Sequence, residues 1–201
     1  MNMTFNNGFE YLKSLLANRN KDKLFIIAID GRAASGKTTL ASELSRVDDI
    51  PILHTDDFFK PRNNYSRLEM TEFDGNFDIG RFHKEAVFGM LSREEFEIGI
   101  YDCKKGSISE TVLYKPSDCF IVEGAYSLNP QLGEYADLRI FVDIDKQLQK
   151  TRIISRNGID GYKRFESVWI PAEERYFSYY KIRDSVDLII SQDNGDCNGK
   201  L

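Results

Sequence analysis

The sequence predicts a three-layer α/β fold with a mainly parallel sheet. Short apolar runs alternate with stretches of helical periodicity along most of the chain, the pattern of repeated βα units. The clearest runs stop at acids: Leu24 to Ile29 at Asp30, Ile50 to His54 at the pair Asp56 and Asp57, Cys119 to Val122 at Glu123, and Leu138 to Val142 at Asp143. The first is followed by Gly31, Arg32, Ala33, Ala34, Ser35, Gly36, Lys37 and Thr38, which is G-x-x-x-x-G-K-T placed between a strand pattern and a helix pattern. That is the Walker A phosphate loop, so the expected fold is of the P-loop NTPase kind.

In chain order, Phe5, Phe9, Leu12, Leu15 and Leu16 recur at helical spacing and predict an amphipathic helix packed on the sheet. An amphipathic membrane anchor is the rival reading of this stripe. Thr38 to Arg46 continues a helix after the loop, and residues 60–80, rich in Asn, Asp, Gly and charge, predict a long surface excursion. A helix is expected from about Arg81 to Leu91, then short strands around Ile98 to Tyr101 and Thr111 to Tyr114. Another helix runs from about Lys146 to Arg156 and is broken at NGIDGY, with Phe165 and Trp169 in the connection. Pro171 suits the first turn of a further helix, Asp187 to Ser191 closes the sheet, and Asp143 serves as a cap. One domain is expected over residues 1–191, followed by a disordered polar tail over 192–201.

The chain has 201 residues and a formal net charge of −5. An acidic surface offers no attraction to duplex nucleic acid or to an anionic membrane, so neither is expected as a partner. Cys103, Cys119 and Cys197 are odd in number and widely spaced, which indicates neither a disulfide framework nor a zinc site. The longest apolar run is six residues, too short to span a bilayer, and the polar amino terminus lacks signal-peptide character. A cytoplasmic location is therefore expected, and a homo-oligomer is compatible with the sequence.

The candidate chemistry starts at the loop. Gly31 and Gly36 let the backbone curl until its N–H groups converge, so Gly31, Ala34, Ser35, Gly36, Lys37, Thr38 and Thr39 form the expected nucleotide-phosphate site. Lys37 brings a point charge, and the Thr38 hydroxyl can ligate magnesium. Asp56 is expected at the same sheet edge, where it can accept a proton from an attacking hydroxyl or hold magnesium through water. Glu123 can reach the ion at Thr38, or cap a turn. Arg152 and Arg156 lie four apart on one helical face and can neutralise charge on a transferred phosphoryl group, joined by Lys163 and Arg164. A solvated basic face is the plain alternative.

GRAASGKTTLA, TDDFFKP, NFDIGRF, YDCKKGS, FIVEGAYSL and FVDIDKQLQKTRIISRN occur in the order and approximate spacing of the uridine kinase and phosphoribulokinase superfamily, which the chain resembles over about residues 24–190. TDDFFKP and GYKRFESVWIP are also similar to nicotinamide riboside kinases. The resemblance implies ATP and magnesium as cofactors and a small hydroxylated acceptor, most simply uridine or cytidine. It implies that Asp56 is the base for a 5′-hydroxyl and that Thr38 and Glu123 serve magnesium. It further implies that Asp78 holds ribose hydroxyls beside Phe77, that Tyr101 lines the acceptor site, and that Arg152 and Arg156 belong to a lid. Cys103 and Gly106 stand where uridine kinases carry an aromatic and a histidine, and Thr151 and Ile153 flank Arg152 where an Arg pair is usual.

Two other classes remain. Nicotinamide riboside or another small hydroxylated metabolite is the alternative acceptor, and a nucleotide-binding regulatory module is the alternative of a different kind. The pairing of Asp56 with Glu123 weighs against a mere binder, and no N-K-x-D motif for guanine is found.

Overall fold

The computed structural model describes residues 1–61 and 75–192. Most of the expected 60–80 excursion, and the tail beyond Gln192 with Cys197, lie outside the described residues. The elements are β1 (Asn2–Thr4), α1 (Phe5–Ala17), β2 (Phe25–Gly31), α2 (Lys37–Asp48), β3 (Ile52–His54) and a 3-10 turn at Thr55–Phe58. Then come α3 (Ile79–Arg81), a π-helical stretch Phe82–Val87, and α4 (Phe88–Ser92). β4 (Phe96–Asp102), β5 (Ser107–Tyr114), β6 (Cys119–Glu123), β7 (Leu138–Ile144), α5 (Lys146–Arg164), a π-helical stretch Phe165–Trp169, α6 (Ile170–Tyr179) and β8 (Leu188–Gln192) complete the order.

Six strands form one sheet in the order β1-β8-β7-β2-β6-β3, and every pairing in it is parallel. The pleat sorts side chains by alternation. Ile26 and Ala28 of β2, with Phe120 and Val122 of β6, face a core with Phe58, Phe77, Phe82, Tyr126, Phe141 and Tyr176. Ile27, Ile29, Ile121 and Val142 face the other core, with Leu12 and Leu16 of α1 and Leu40 and Leu44 of α2. The stripe in α1 therefore packs on the sheet, at a closeness that Gly8 permits: a Cβ there would stand 2.8 Å from Ile190. Among the described residues no helix is long and apolar enough to cross a membrane.

Four expectations change. The edge of the sheet is β1, not β8: Asn2, Met3 and Thr4 pair with Ile189, Ile190 and Ser191. Gln192, assigned to the tail, is the buried last residue of β8. The two strands of the middle region pair only with each other as an antiparallel hairpin. The break in the long helix is one residue, Gly158 at φ 73 and ψ 174, after which helical geometry resumes through Phe165 and Trp169 into α6.

In the parallel sheet, β2 lies between β6 and β7. The chain leaves β2 toward β3 on one side and later builds β7 and β8 on the other, so a crevice opens above the carboxyl end of β2.

Candidate active site

The loop from β2 to α2 occupies that crevice. Gly31, Ala34 and Gly36 take positive φ of 139°, 58° and 98°. A Cβ on Gly31 would lie 2.1 Å from the Val142 carbonyl oxygen, so the close approach to β7 admits only glycine. Lys37 Nζ folds back to donate to the carbonyls of Gly31 at 2.7 Å and Arg32 at 3.0 Å. Ser35 is fully buried and its hydroxyl has no partner among the described residues. Thr39 is exposed on α2.

Parallel register brings β6 alongside and sets the acids. The Thr38 hydroxyl donates to Glu123, whose Oε1 and Oε2 lie 3.2 and 3.3 Å away. His54 at the end of β3 is the register partner of Glu123, and its Nδ1 sits 2.6 Å from Glu123 Oε1. That contact raises the His54 pKa. His54 had no motif to announce it; its position one strand over from the expected metal acid is the only signal. Glu123 is 5% exposed, so these contacts hold its carboxylate.

Asp56 follows in the 3-10 turn. Its side chain opens to the cleft, yet the cleft walls strip water from it and, with the Glu123 charge, raise its pKa against the pull of Lys37, His54 and Arg156. Burial pushes Asp57 up to about 6, with His54 opposing and Asp56 adding to the shift. Thr38 and Glu123 are hard oxygen donors in contact, which fits magnesium held by few protein groups and by phosphate. Among the described residues no cluster of three or more His, Cys, Asp and Glu suits a metal.

The expected cations divide. Arg152 Nη1 donates to Ala34 O at 3.2 Å and its Nη2 to Gln192 Oε1, beside the phosphate loop. Arg156 is exposed, bonded to Asn157 and set over the Phe165 ring. Lys163 pairs with Asp160, and Arg164 lies over Trp169. Asp143 is not a helix cap: it takes Arg32 and Arg183, while Asp145 caps α5 by accepting from Gln147 and Leu148.

On the acceptor side the expected residues sit in different surroundings. Phe77 is 1% exposed, with its ring among Phe82 and Tyr126 in the core. Tyr101 is largely buried against Phe59. Asp78 stays partly open but caps α3, accepting from Arg81 N at 2.9 Å. Arg81, unassigned from sequence, ties this wall together: it donates to Gly99 O at 2.7 Å and to Asp57 O, and lies 4.9 Å from the Phe58 ring centroid.

A sequence profile described as "Phosphoribulokinase / Uridine kinase family" matches residues 26–180. A uridine kinase of Staphylococcus haemolyticus (strain JCSC1435) is 30% identical over 152 residues, which are 71% of this chain and 73% of that protein. The uridine kinase of Staphylococcus aureus (strain JH9) matches equally, at 30% over 152 residues, 71% of this chain and 73% of its own length. Among solved structures, a possible uridine kinase from Bacillus stearothermophilus superposes with a TM-score of 0.70 at 18% identity, covering 94% of this chain and all of that one. D-glycerate 3-kinase from Cryptococcus neoformans var. grubii serotype A superposes at 0.58 with 17% identity, covering 83% and 85%. At those identities the structures speak for the fold.

Proposed function

This chain belongs to the phosphoribulokinase / uridine kinase family and is a small-molecule kinase, and from that premise we propose that it transfers the terminal phosphoryl group of ATP, with magnesium, to the 5′-hydroxyl of a nucleoside, uridine or cytidine first. The observation that carries the reading is the Thr38–Glu123 contact at the mouth of a phosphate loop whose lysine is in place. A second acid, Asp56, is near enough for the charges of Glu123 and Lys37 to act on it.

In this reading the acceptor oxygen bonds to the terminal phosphorus as the bond from that phosphorus to the bridging oxygen breaks, and Asp56 takes the hydroxyl proton. The raised pKa of Asp56 makes it a better proton acceptor than an ordinary aspartate. Lys37 and the loop N–H groups hold phosphate oxygens, and Arg152 adds a cation beside Ala34. Magnesium, when bound at Thr38 and Glu123, supplies charge neutralisation to the phosphates.

A second acceptor is favoured by one feature. The described wall holds Asp56, Asp57 and Asp78, while Arg81 is committed to backbone carbonyls. Such an acidic wall suits a cationic acceptor such as nicotinamide riboside. The test is mass-spectrometric detection of a product one phosphoryl group heavier, with ATP, magnesium and separate uridine, cytidine and nicotinamide riboside. Product from a pyrimidine nucleoside supports the first reading, and product from nicotinamide riboside alone replaces it with the second. No product from any, with ATP bound, rejects both and leaves the regulatory alternative.

A further inference from the structure

Ala34 sits at φ 58°, in the left-handed region that side chains with a Cβ avoid, at the centre of the phosphate loop. The residue before it is gripped on both sides. Ala33 N–H donates to Glu173 Oε2 at 2.9 Å, and Ala33 O accepts from Gln149 Nε2 at 3.1 Å. Both side chains are buried, Glu173 at 9% exposure and Gln149 at 4%. Beside them Arg32 is bonded to Glu174 through Nε at 2.6 Å and Nη2 at 3.1 Å. These partners come from α5 and α6, more than a hundred residues along the chain, and none is a loop residue.

A left-handed residue inside a tight turn is what makes successive N–H groups converge into an anion-binding concavity. Held at one point by two helices, the loop keeps that shape without a glycine at position 34. We propose that Gln149 and Glu173 are positioning residues, which clamp the Ala33 peptide between α5 and α6 and so maintain the left-handed Ala34 on which phosphate binding depends. The proposal rests on the nucleotide-binding reading of the loop, and both residues lie on helices outside that loop. Gly158 stands between the two grips in the chain, at φ 73° with nothing within 4 Å of a Cβ position. The segment beyond it, with Lys163 and Arg164, is thereby joined at both ends to the phosphate loop.

The experiment has a ligand-free arm and a ligand arm, both on the full chain. In the free protein, amide exchange at Ala33 followed by NMR is expected to speed up roughly 10–100-fold in Glu173→Ala, the cost of leaving a buried N–H without its acceptor. Titration with ATP and magnesium is expected to show affinity reduced by a similar factor in Glu173→Ala and less in Gln149→Ala. Glu173→Gln should stay near wild type, because its amide oxygen still accepts from Ala33. Adding Ala34→Gly to Glu173→Ala should recover most of the loss, since glycine takes positive φ without the Cβ clash. If Glu173→Ala unfolds, Gln149→Ala with and without Ala34→Gly decides the matter. Unchanged Ala33 exchange, or no recovery by glycine, overturns the clamp. Wild-type protein that binds no ATP while Ala33 exchange responds as stated rejects the functional reading and the clamp's role in phosphate binding, but not the contacts.

Discussion

Tyr176 donates its phenolic hydrogen to Asp30 Oδ2 at 2.8 Å across 146 residues of sequence, and both side chains are fully buried. The bond joins α6 to the last acid before the phosphate loop. Burial pushes the Asp30 carboxyl up to about 6 from 3.8, against the opposing influence of Lys37 and the hydrogen bonds from Gly31, Tyr176 and Leu128. The folded state therefore holds this proton more tightly than the unfolded chain. The stability it contributes is complete below about pH 4 and is lost as pH rises through about 6. Tyr176→Phe removes a donor to the carboxylate, moves the Asp30 pKa higher still and enlarges that loss. Denaturant unfolding should show a deficit of about 1–3 kcal/mol at pH 8, the range for an unsatisfied buried polar group, and a smaller one at pH 4. An equal deficit at both pH values would remove Asp30 from the explanation.

Asp56→Asn keeps the shape of the 3-10 turn and removes the base of the proposed reaction. Turnover should fall about 10²–10⁴-fold, the range for a lost general base, with ATP affinity little changed. Steady-state kinetics beside a binding titration separate the two. Normal turnover in the variant would assign the proton elsewhere.

His54 holds Glu123 through Nδ1 at 2.6 Å. His54→Ala should weaken manganese binding to the protein–nucleotide complex roughly 10–100-fold, as losing the partner of a ligating carboxylate does. Paramagnetic resonance of free manganese reads this without catalysis. His54→Asn, whose amide nitrogen substitutes for Nδ1, should recover more than His54→Gln, and equal affinities across all variants would count against any hold on Glu123.

Gly31→Ala places a methyl carbon 2.1 Å from the Val142 backbone oxygen at a φ of 139°. Neither group is a flexible side-chain end, so the β2–β7 pairing must part. A loss of about 3 kcal/mol or more is expected, at the upper end for overpacking and above it with the backbone strain added. Chemical denaturation measures it, and a variant as stable as wild type would mean that β7 yields at no cost.

The sheet and the phosphate loop were legible because their signals are local: apolar runs, glycine spacing and an acid after each of the clearest runs. Thr38, Glu123 and Lys37 come together as the loop and parallel strands require. β1 escaped because three residues with one partly buried position have no periodicity, and its partner lies at Ile189 to Ser191. The burial of Phe77 was not legible because it depends on Tyr126, far along the chain, and on how Phe82 folds back onto it. His54, Arg81, Gln149 and Glu173 were missed for one reason: each acts through a contact set by packing between distant elements, and no single window of sequence contains both partners.

The pairing of β1 with β8 has a consequence for the order in which a growing chain can mature. Leu12 and Leu16 share a core with Leu188 and Ile190, and Gly8 lies against Ile190. During synthesis the amphipathic face of α1 leaves the ribosome long before β8, the strand that completes its cover. In the interval between them that face keeps apolar surface awaiting its lid, and helper proteins that shield nascent apolar segments have their natural opportunity there. The slowest step of folding is then expected to be the late closure of this edge, as befits contacts of such wide sequence separation.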